Sequence, residues 1–276
     1  MSTPTTLPEA ISGRSALDVA RACAREAGEL IRRRFREPQD VTAKGRGNLV
    51  TETDLEVEGL VKRTLAREFP DHRLLSEETA AETDSAGWVW IADPLDGTRN
   101  FVSGTPFFCV NLALCDNAEP VVAVTHDPIH EETFWAERGR GAWLNDQPIR
   151  ASDKRTVLDS VLGVGLGYDD QRARAGLHLI YRLYPGVQTV RNLVSAALDL
   201  AYAAAARHDL FVHFDLSPWD VAAGLLLVPE AGGTITDRTG APATLRSRSV
   251  IAGGAHAHAD FLRWQEEHHD QLSVEL

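Results

Sequence analysis

Two aspartates follow directly on the most apolar strand pattern of the sequence. The segment 88–101 reads WVWIADPLDGTRNF and places Asp93 and Asp96 three residues apart. Carboxylates at the end of a buried strand are costly unless cations offset their charge, and Mg²⁺ prefers oxygen ligands. The pattern therefore indicates a metal site, although a simple Asp-Gly turn capped by Asp93 would explain the same residues.

The residues after Asp96 could form an anion site. Gly97 permits close approach of the backbone, and free N–H groups at the start of a helix or turn attract phosphate. If such a turn begins at Gly97 and Thr98, a metal site and a phosphate site are adjacent.

Further acidic positions each have a structural explanation when taken alone. Glu77 and Glu78 follow an apolar strand pattern and suit a solvated strand end. Asp54, in VTETD, suits the N-terminal cap of a helix. Asp220, in PWDVAAGLLL, suits the first turn of a helix, where the helix dipole favours negative charge. No single one of these motifs defines a function.

The periodicity of apolar residues predicts the elements that position these acids. Spacings of three and four predict helices over about 17–35, with Ser15 as N-cap, and over 55–69. Short β-type runs predict a sheet over 73–146. Strands then alternate with helices, including one helix over 218–231, which favours a sheet covered on both faces.

These patterns divide the chain into two closely packed halves. We expect residues 1–14 to be a flexible tail and residues 15–146 to form an α+β half that carries most of the metal ligands. Residues 147–276 are expected to form an α/β half that completes the metal site and the substrate pocket. The fold class is therefore α/β in the broad sense.

The composition excludes several classes of protein. The 276 residues contain 28 Lys+Arg and 40 Asp+Glu, a formal net charge of −12, which argues against nucleic acid or an anionic membrane as partner. Three cysteines without CxxC spacing argue against disulfides and a zinc cluster. The N-terminal residues lack the pattern of a secretory signal, and no apolar run of about 18 residues is present. We expect a soluble cytoplasmic protein.

Taken together and in order, the motifs are similar to those of a known family. The segments LVTETD, LLSEE, WIADPLDGTRNF, SAALDLAY and WDVAAG, with PEAGG after them, resemble the inositol monophosphatase family of Mg²⁺-dependent, lithium-sensitive sugar-phosphate phosphatases. The resemblance covers about residues 15–265. It implies a layered αβαβα sandwich of the inositol monophosphatase/fructose-1,6-bisphosphatase type, and commonly a homodimer.

The resemblance also implies a set of site residues. The metal ligands for two or three Mg²⁺ ions fall on Glu77, Asp93, the backbone carbonyl of Leu95, Asp96 and Asp220. The catalytic residues correspond to Asp54 and Thr98, which would activate the attacking water, and to Lys44, which lies in a polar loop that can help close the site. Substrate contacts fall on Asp96, Gly97, Thr98, Ser195, Ala196, His213 and Asp220.

The implied reaction is hydrolysis of a small phosphate monoester by metal-activated water, without a covalent phosphoenzyme. Inositol 1-phosphate or a related sugar phosphate is the first expectation for the substrate. The segment DLSPWD resembles histidinol-phosphate phosphatases, which is the alternative, and a non-catalytic metal-binding module is a third possibility.

The positions expected to recognise the substrate differ from those of the inositol-specific members of the family. Val194 replaces a glycine before Ser195, and His213 replaces a carboxylate that would accept hydrogen bonds from vicinal hydroxyls. Asp215 could reach into the same space or only form part of a turn, and the sequence does not choose between these. The segment 163–167 reads GVGLG and does not match the dinucleotide-binding GxGxxG.

Overall fold

The computed structural model of the chain describes residues 7–43, 45, 48–79 and 86–268. The α-helices are α1 Ala16–Arg34, α2 Glu52–Glu68, α3 Thr98–Ser103, α4 Asp170–Leu183, α5 Ala196–Ala204, α6 Pro218–Val221, α7 Gly224–Glu230 and α8 Ala255–Glu267. A short 3-10 helix spans Glu77–Thr79.

The strands in the first part of the chain are β1 Val41–Ala43, β2 Leu49–Thr51, β3 Arg73–Ser76, β4 Trp88–Asp96, β5 Cys109–Asp116, β6 Glu119–Asp127, β7 Glu132–Glu137, β8 Ala142–Leu144 and β9 Gln147–Pro148. Those in the second part are β10 Val161–Gly165, β11 Thr189–Arg191, β12 Leu210–His213, β13 Thr234–Thr236 and β14 Val250–Gly253.

Two large sheets carry the fold. The seven-stranded sheet has the order β3-β4-β5-β6-β7-β8-β9 and is antiparallel except for the parallel pair β3 and β4. The five-stranded sheet has the order β11-β10-β12-β14-β13, with β11, β10 and β12 parallel. Strands β5 and β6 are nearly continuous apolar runs because both faces of their sheet are covered.

The helices and sheets form five layers. Helices α1 and α2 pack on one face of the seven-stranded sheet through a core that includes Ile31 and Leu112. Helices α5 and α7 lie between the two sheets, where Leu198 and Phe211 are buried. Helices α4 and α8 cover the outer face of the five-stranded sheet. This order of layers confirms the expected αβαβα sandwich.

The middle layer joins the two halves of the chain. Its apolar cluster contains residues from both halves, among them Phe134 and Phe211. The expected boundary at residue 146 falls in the turn between β8 and β9, and the second sheet begins at Val161. A site between the sheets can therefore draw residues from both halves.

Residues 7–14 do not form the flexible tail expected over 1–14. The backbone N–H of Ile11 donates to the carbonyl of Glu68 at 2.9 Å, and Ser12 Oγ donates to Glu68 Oε2 at 2.6 Å. Ala10 is buried. These contacts hold the segment against the end of α2, which apolar periodicity alone could not reveal. Residues 1–6 lie outside the described residues.

The single helix expected over 218–231 is two helices. Helix α6 ends at Val221 and α7 begins at Gly224. In the first turn of α7 the N–H of Leu226 donates to Ala223 O, three residues back, at 3.1 Å, so the chain tightens where the second helix begins. None of the helices in the described part of the chain is both long and apolar enough to cross a membrane.

Candidate active site

Three aspartates from two layers meet at the end of β4. One carboxylate oxygen each from Asp93, Asp96 and Asp220, here called the carboxylate cluster, lies within 4.8 Å of the others. In a regular strand, residues three apart point to opposite faces. The pairing of β4 with β5 is irregular between Asp93 and Asp96, around Pro94, which has no N–H for the ladder. This irregularity allows both carboxylates to reach one site.

Burial and mutual repulsion dominate the electrostatics of the cluster. Burial first, and then the charges of Glu77 and the other nearby carboxylates, hold the pKa of Asp93 well above its ordinary value. Burial and the charge of Asp96 likewise raise the pKa of Asp220 well above its ordinary range. Within the described residues, the neighbouring charges that most affect the pKa of Asp93 are the carboxylates of Glu77, Asp96 and Asp220. A buried group of this kind is stabilised by a bound cation.

The carboxylate of Asp96 also ties the cluster to the start of α5. Its Oδ2 accepts hydrogen bonds from Ser195 Oγ at 2.6 Å and from the N–H of Ala197 at 2.8 Å. Burial raises the pKa of Asp96 although these hydrogen bonds favour the charged form. The Ser195 hydroxyl, predicted to contact substrate, therefore serves first to position Asp96, while Ser195 and Ala196 both line the adjoining cavity.

Thr98 and Asp54 are in direct contact beside the cluster. Thr98 Oγ1 lies 2.9 Å from Asp54 Oδ1 and 3.0 Å from Leu95 O. The other oxygen of Asp54 accepts from the N–H of Thr51 at 2.8 Å in a capping box at the start of α2. The expected helix cap is present, and the second carboxylate oxygen of Asp54 accepts the hydrogen bond from Thr98.

Two adjoining cavities extend from the cluster and share part of their walls. Including their open mouths, the first has a volume of about 650 Å³ and the second about 730 Å³. Both are lined by Asp96, Gly97, Tyr168, Asp215 and Asp220. Seven further predicted residues divide between the two cavities. The first adds Ser195, Ala196 and His213, and the second adds Glu77, Asp93, Leu95 and Thr98.

One further predicted site residue lies behind the cavity walls, and another is outside the part of the chain that the structure describes. Asp54 is buried behind Thr98, at 2 % exposure. Lys44 lies outside the described residues. Asn48 and Leu49, a few residues further along the chain, line the second cavity.

His213 is a neutral donor in the wall of the first cavity. Burial lowers its pKa to about 4. Its Nδ1 accepts a hydrogen bond from the N–H of Asp215 at 3.0 Å, so the single proton of the neutral ring is on Nε2. A Cβ on Gly165, which pairs with His213 across the strands, would lie 1.8 Å from its Cδ2. The middle glycine of GVGLG therefore makes room for this imidazole.

Both carboxylate oxygens of Asp215 accept hydrogen bonds from other residues of the protein. Its Oδ1 accepts from Arg172 at 2.5 Å and from Arg248 at 2.7 Å, and its Oδ2 accepts from the N–H groups of Tyr168 and Asp169, both at 3.2 Å. Burial alone would raise the pKa of Asp215, but these hydrogen bonds lower it to about 2. Asp215 therefore does not replace the missing hydroxyl-binding carboxylate.

Sequence reasoning missed several residues of the first cavity, among them Arg99, Tyr168 and Asn192. The Arg99 guanidinium stacks over the ring of Tyr168, 4.6 Å from its centroid. Arg99 could have been predicted as a site residue, because it directly follows Thr98 in the sequence. Tyr168 and Asn192 belong to no motif that would have revealed them.

Fold and site together define a class of protein: a layered αβαβα sandwich with buried carboxylates suited to a divalent cation. The chain belongs to the inositol monophosphatase family, whose model matches residues 14–270. Members of this family are phosphoric monoester hydrolases, generally metal-dependent, that act on phosphorylated small molecules. The chain is thus a phosphatase of this family.

Individual relatives match over nearly their whole length. Inositol monophosphatase 1 of Solanum lycopersicum is 39% identical over 253 residues, 89% of this chain and 93% of that protein. Nus factor SuhB of Escherichia coli K12 is 38% identical over 241 residues, 86% of this chain and 90% of that protein. A solved structure of a Thermotoga maritima IMPase has a TM-score of 0.85 at 34% identity and covers 93% of this chain and 99% of its own.

Proposed function

We propose that this protein hydrolyses the phosphate monoester of a small neutral polyol or sugar, with inositol 1-phosphate as the first candidate, by direct attack of water. The observation that carries the proposal is the carboxylate cluster with the hydrogen-bonded pair Thr98 and Asp54 beside it. A binding module without activity would need the cluster alone. The water-activating pair therefore favours catalysis.

The donor set fits hard divalent cations. Oxygen ligands, several negative charges and burial together suit Mg²⁺. Two or three ions would be held by Glu77, Asp93, the Leu95 carbonyl, Asp96 and Asp220. When bound, Mg²⁺ supplies positive charge that stabilises the transferring phosphoryl group and favours deprotonation of water.

Thr98 and Asp54 position the water and accept its proton. Because Thr98 Oγ1 donates its hydrogen to Asp54 Oδ1, its lone pairs can accept a hydrogen bond from the attacking water. As the water transfers a proton to Thr98, Thr98 passes its own to Asp54, so one proton moves to Asp54 Oδ1 and Thr98 stays neutral. Burial raises the pKa of Asp54 despite its hydrogen bonds, which makes it a better base.

Gly97 shapes the phosphate end of the site. Its backbone has φ of 98°, and a Cβ there would meet Phe107 O at 3.1 Å. Only glycine combines this conformation with this close packing. We assign the phosphate contacts to the backbone N–H groups of Gly97 and Thr98, both of which line the second cavity.

The first cavity favours neutral hydroxyls over an ammonium group. His213 offers an N–H donor, and Arg99 adds positive charge. Asp199 is hydrogen-bonded to His208 at 2.9 Å, and Asp215 is neutralised by two arginines. Apart from the proposed metal ligands Asp96 and Asp220, both carboxylates that line the first cavity are therefore already paired, which disfavours the ammonium group of an amino alcohol phosphate such as histidinol phosphate. This supports a polyol or sugar phosphate.

The test is a substrate panel with and without Mg²⁺. We expect kcat/KM to be highest for inositol 1-phosphate or another sugar monophosphate, and lower for histidinol phosphate, fructose 1,6-bisphosphate and adenosine 3′,5′-bisphosphate. His213→Glu, which replaces a donor with an acceptor, is expected to shift the ratio towards histidinol phosphate by about 10-fold.

Asp153→Asn, at an exposed carboxylate away from both cavities, is the matched control and should leave the ratio unchanged. Full turnover in metal-free buffer, or tight Mg²⁺ binding without turnover on any substrate, would overturn the proposal. The expected homodimer and the expected absence of a nucleic-acid partner need separate tests, by light scattering and by titration with RNA.

A further inference from the structure

A further depression lies beside the two arginines that bind Asp215. It encloses about 500 Å³ and is lined by Arg172, Phe214, Arg238, Arg248 and Ser249, here called the arginine pocket. Three of its five lining residues are arginines. On a chain with a net charge of −12, this concentration of positive charge is a local exception.

The arginines are only partly neutralised. Arg172 and Arg248 share one oxygen of Asp215, and their side chains are 34% and 61% exposed. Each guanidinium carries five N–H donors, so both keep donors for another acceptor. Within the described part of the chain, no salt bridge reaches Arg238. Arg238 interacts electrostatically with Asp237, the preceding residue, so the three arginines face two carboxylates, Asp215 and Asp237.

The wall of the pocket adds a hydroxyl and an aromatic ring. Ser249 is buried at 7% exposure, and its Oγ accepts from the N–H of Arg238 at 3.1 Å, so its hydroxyl hydrogen remains for another acceptor. Phe214 supplies an apolar surface beside these donors. Guanidinium groups match the oxygens of phosphate and sulfate in geometry and charge.

We propose that the arginine pocket is a second, non-catalytic binding site for a phosphate-type oxyanion. Its occupant is either inorganic phosphate or the phosphate group of a small ester whose organic part contacts Phe214. The pocket holds no cluster of carboxylates that could bind a catalytic cation, so it binds without hydrolysing. The proposal does not depend on which monoester the active site cleaves.

The two sites share a wall, so an experiment must tell them apart. Arg248 lines both the arginine pocket and the second cavity, whereas Arg238 lines the arginine pocket and neither active-site cavity. Arg238→Gln is therefore the informative variant. Arg246→Gln, at an exposed arginine on the same segment as Arg248, is the matched control for loss of charge.

The test is calorimetric titration of the full-length, Mg²⁺-loaded protein with sulfate, which the enzyme cannot hydrolyse. We expect two classes of sulfate site in the wild type. Arg238→Gln should weaken one class by about 10-fold, with kcat/KM within about 2-fold of wild type, while Arg246→Gln should leave both classes unchanged. Selenate soaked into crystals should give an anomalous peak between Arg238 and Arg172.

Two phosphorus ligands distinguish the sources of the oxyanion. Tighter binding of benzylphosphonate than of inorganic phosphate would indicate an ester that uses Phe214, and equal binding would indicate free phosphate; either result supports the site. A single class of sulfate site, or unchanged binding in Arg238→Gln, would overturn the proposal.

Discussion

The carboxylate cluster and Asp215 line the same cavity wall, but their buried carboxylates have opposite surroundings. The cluster is surrounded by other carboxylates, and Asp215 is surrounded by hydrogen-bond donors. Burial and neighbouring carboxylates raise the pKa of Asp93 well above its ordinary value. Asp215 has two arginines and two backbone N–H groups as partners, and its pKa falls to about 2. The residue type is the same, and the partners decide the sign of the shift.

The difference in partners distinguishes two kinds of site. The carboxylate cluster needs a bound cation to offset its charge, whereas the charge of Asp215 is already offset by the protein. A carboxylate with built-in cations contributes to the structure and has little left to offer a substrate. A group of carboxylates without cations is costly unless an external cation binds, which is typical of a functional site. We therefore interpret the cluster as the catalytic centre and Asp215 as its support.

The largest expected effect comes from breaking the cluster. Asp93→Asn should lower kcat/KM for the best substrate by about 10³-fold, because one of the carboxylates that would hold Mg²⁺ is lost. The same variant should be more stable than wild type in EDTA, since one repelling charge is gone. Steady-state kinetics and thermal melts measure both effects. Activity within 10-fold of wild type would contradict the assignment.

Removal of the cation should destabilise the protein. At saturating Mg²⁺ we expect Tm to exceed that in EDTA by about 5–10 °C, because the ion binds the folded state and relieves carboxylate repulsion. Asp93→Asn should lose most of this difference and Asp215→Asn should keep it. A wild-type Tm that does not respond to Mg²⁺ would argue against a metal site at the cluster.

Breaking the Asp215 network should change stability in a pH-dependent way. Asp215→Asn should cost about 1–2 kcal/mol in the free energy of unfolding at pH 7. The folded-state pKa of Asp215, about 2, lies below the unfolded value. The contribution is therefore complete above about pH 5 and is lost as the pH falls through 4 towards 2, with about half remaining at pH 3.

Urea unfolding of the wild type and Asp215→Asn at pH 7 and pH 3 measures this loss. A stability difference between the two proteins that is the same at both pH values would show that the charge of Asp215 is not its source.

The smallest effect is expected from the exposed partner of Asp215. Arg248→Gln should cost at most about 1 kcal/mol, because its side chain is 61% exposed and solvent screens the ion pair. Arg172→Gln, whose side chain is 34% exposed, should cost more. Chemical denaturation compares the two variants, with Arg246→Gln as control. A larger loss of stability in Arg248→Gln than in Arg172→Gln would contradict this prediction.

Much of the fold could be predicted from local pattern. The apolar run before Asp93 marks β4, and the spacing of apolar residues marks α1 and α2, because both features depend on short-range periodicity. The break between α6 and α7 and the anchoring of residues 7–14 were not predicted. Both depend on particular hydrogen bonds, and the periodicity of apolar residues does not predict which hydrogen bonds form.

The sequence by itself determined which side chains could do chemistry: the carboxylates, the Gly97-Thr98 turn and the histidine at position 213, each in motif order. Only the tertiary structure decided their states. It gave His213 the role of donor through the N–H of Asp215, occupied Asp215 with arginines from α4 and the segment before β14, and brought Arg99 over Tyr168. The physical reason is that protonation and hydrogen-bond polarity depend on burial and on the conformation and packing that bring partners together, and a sequence pattern fixes neither.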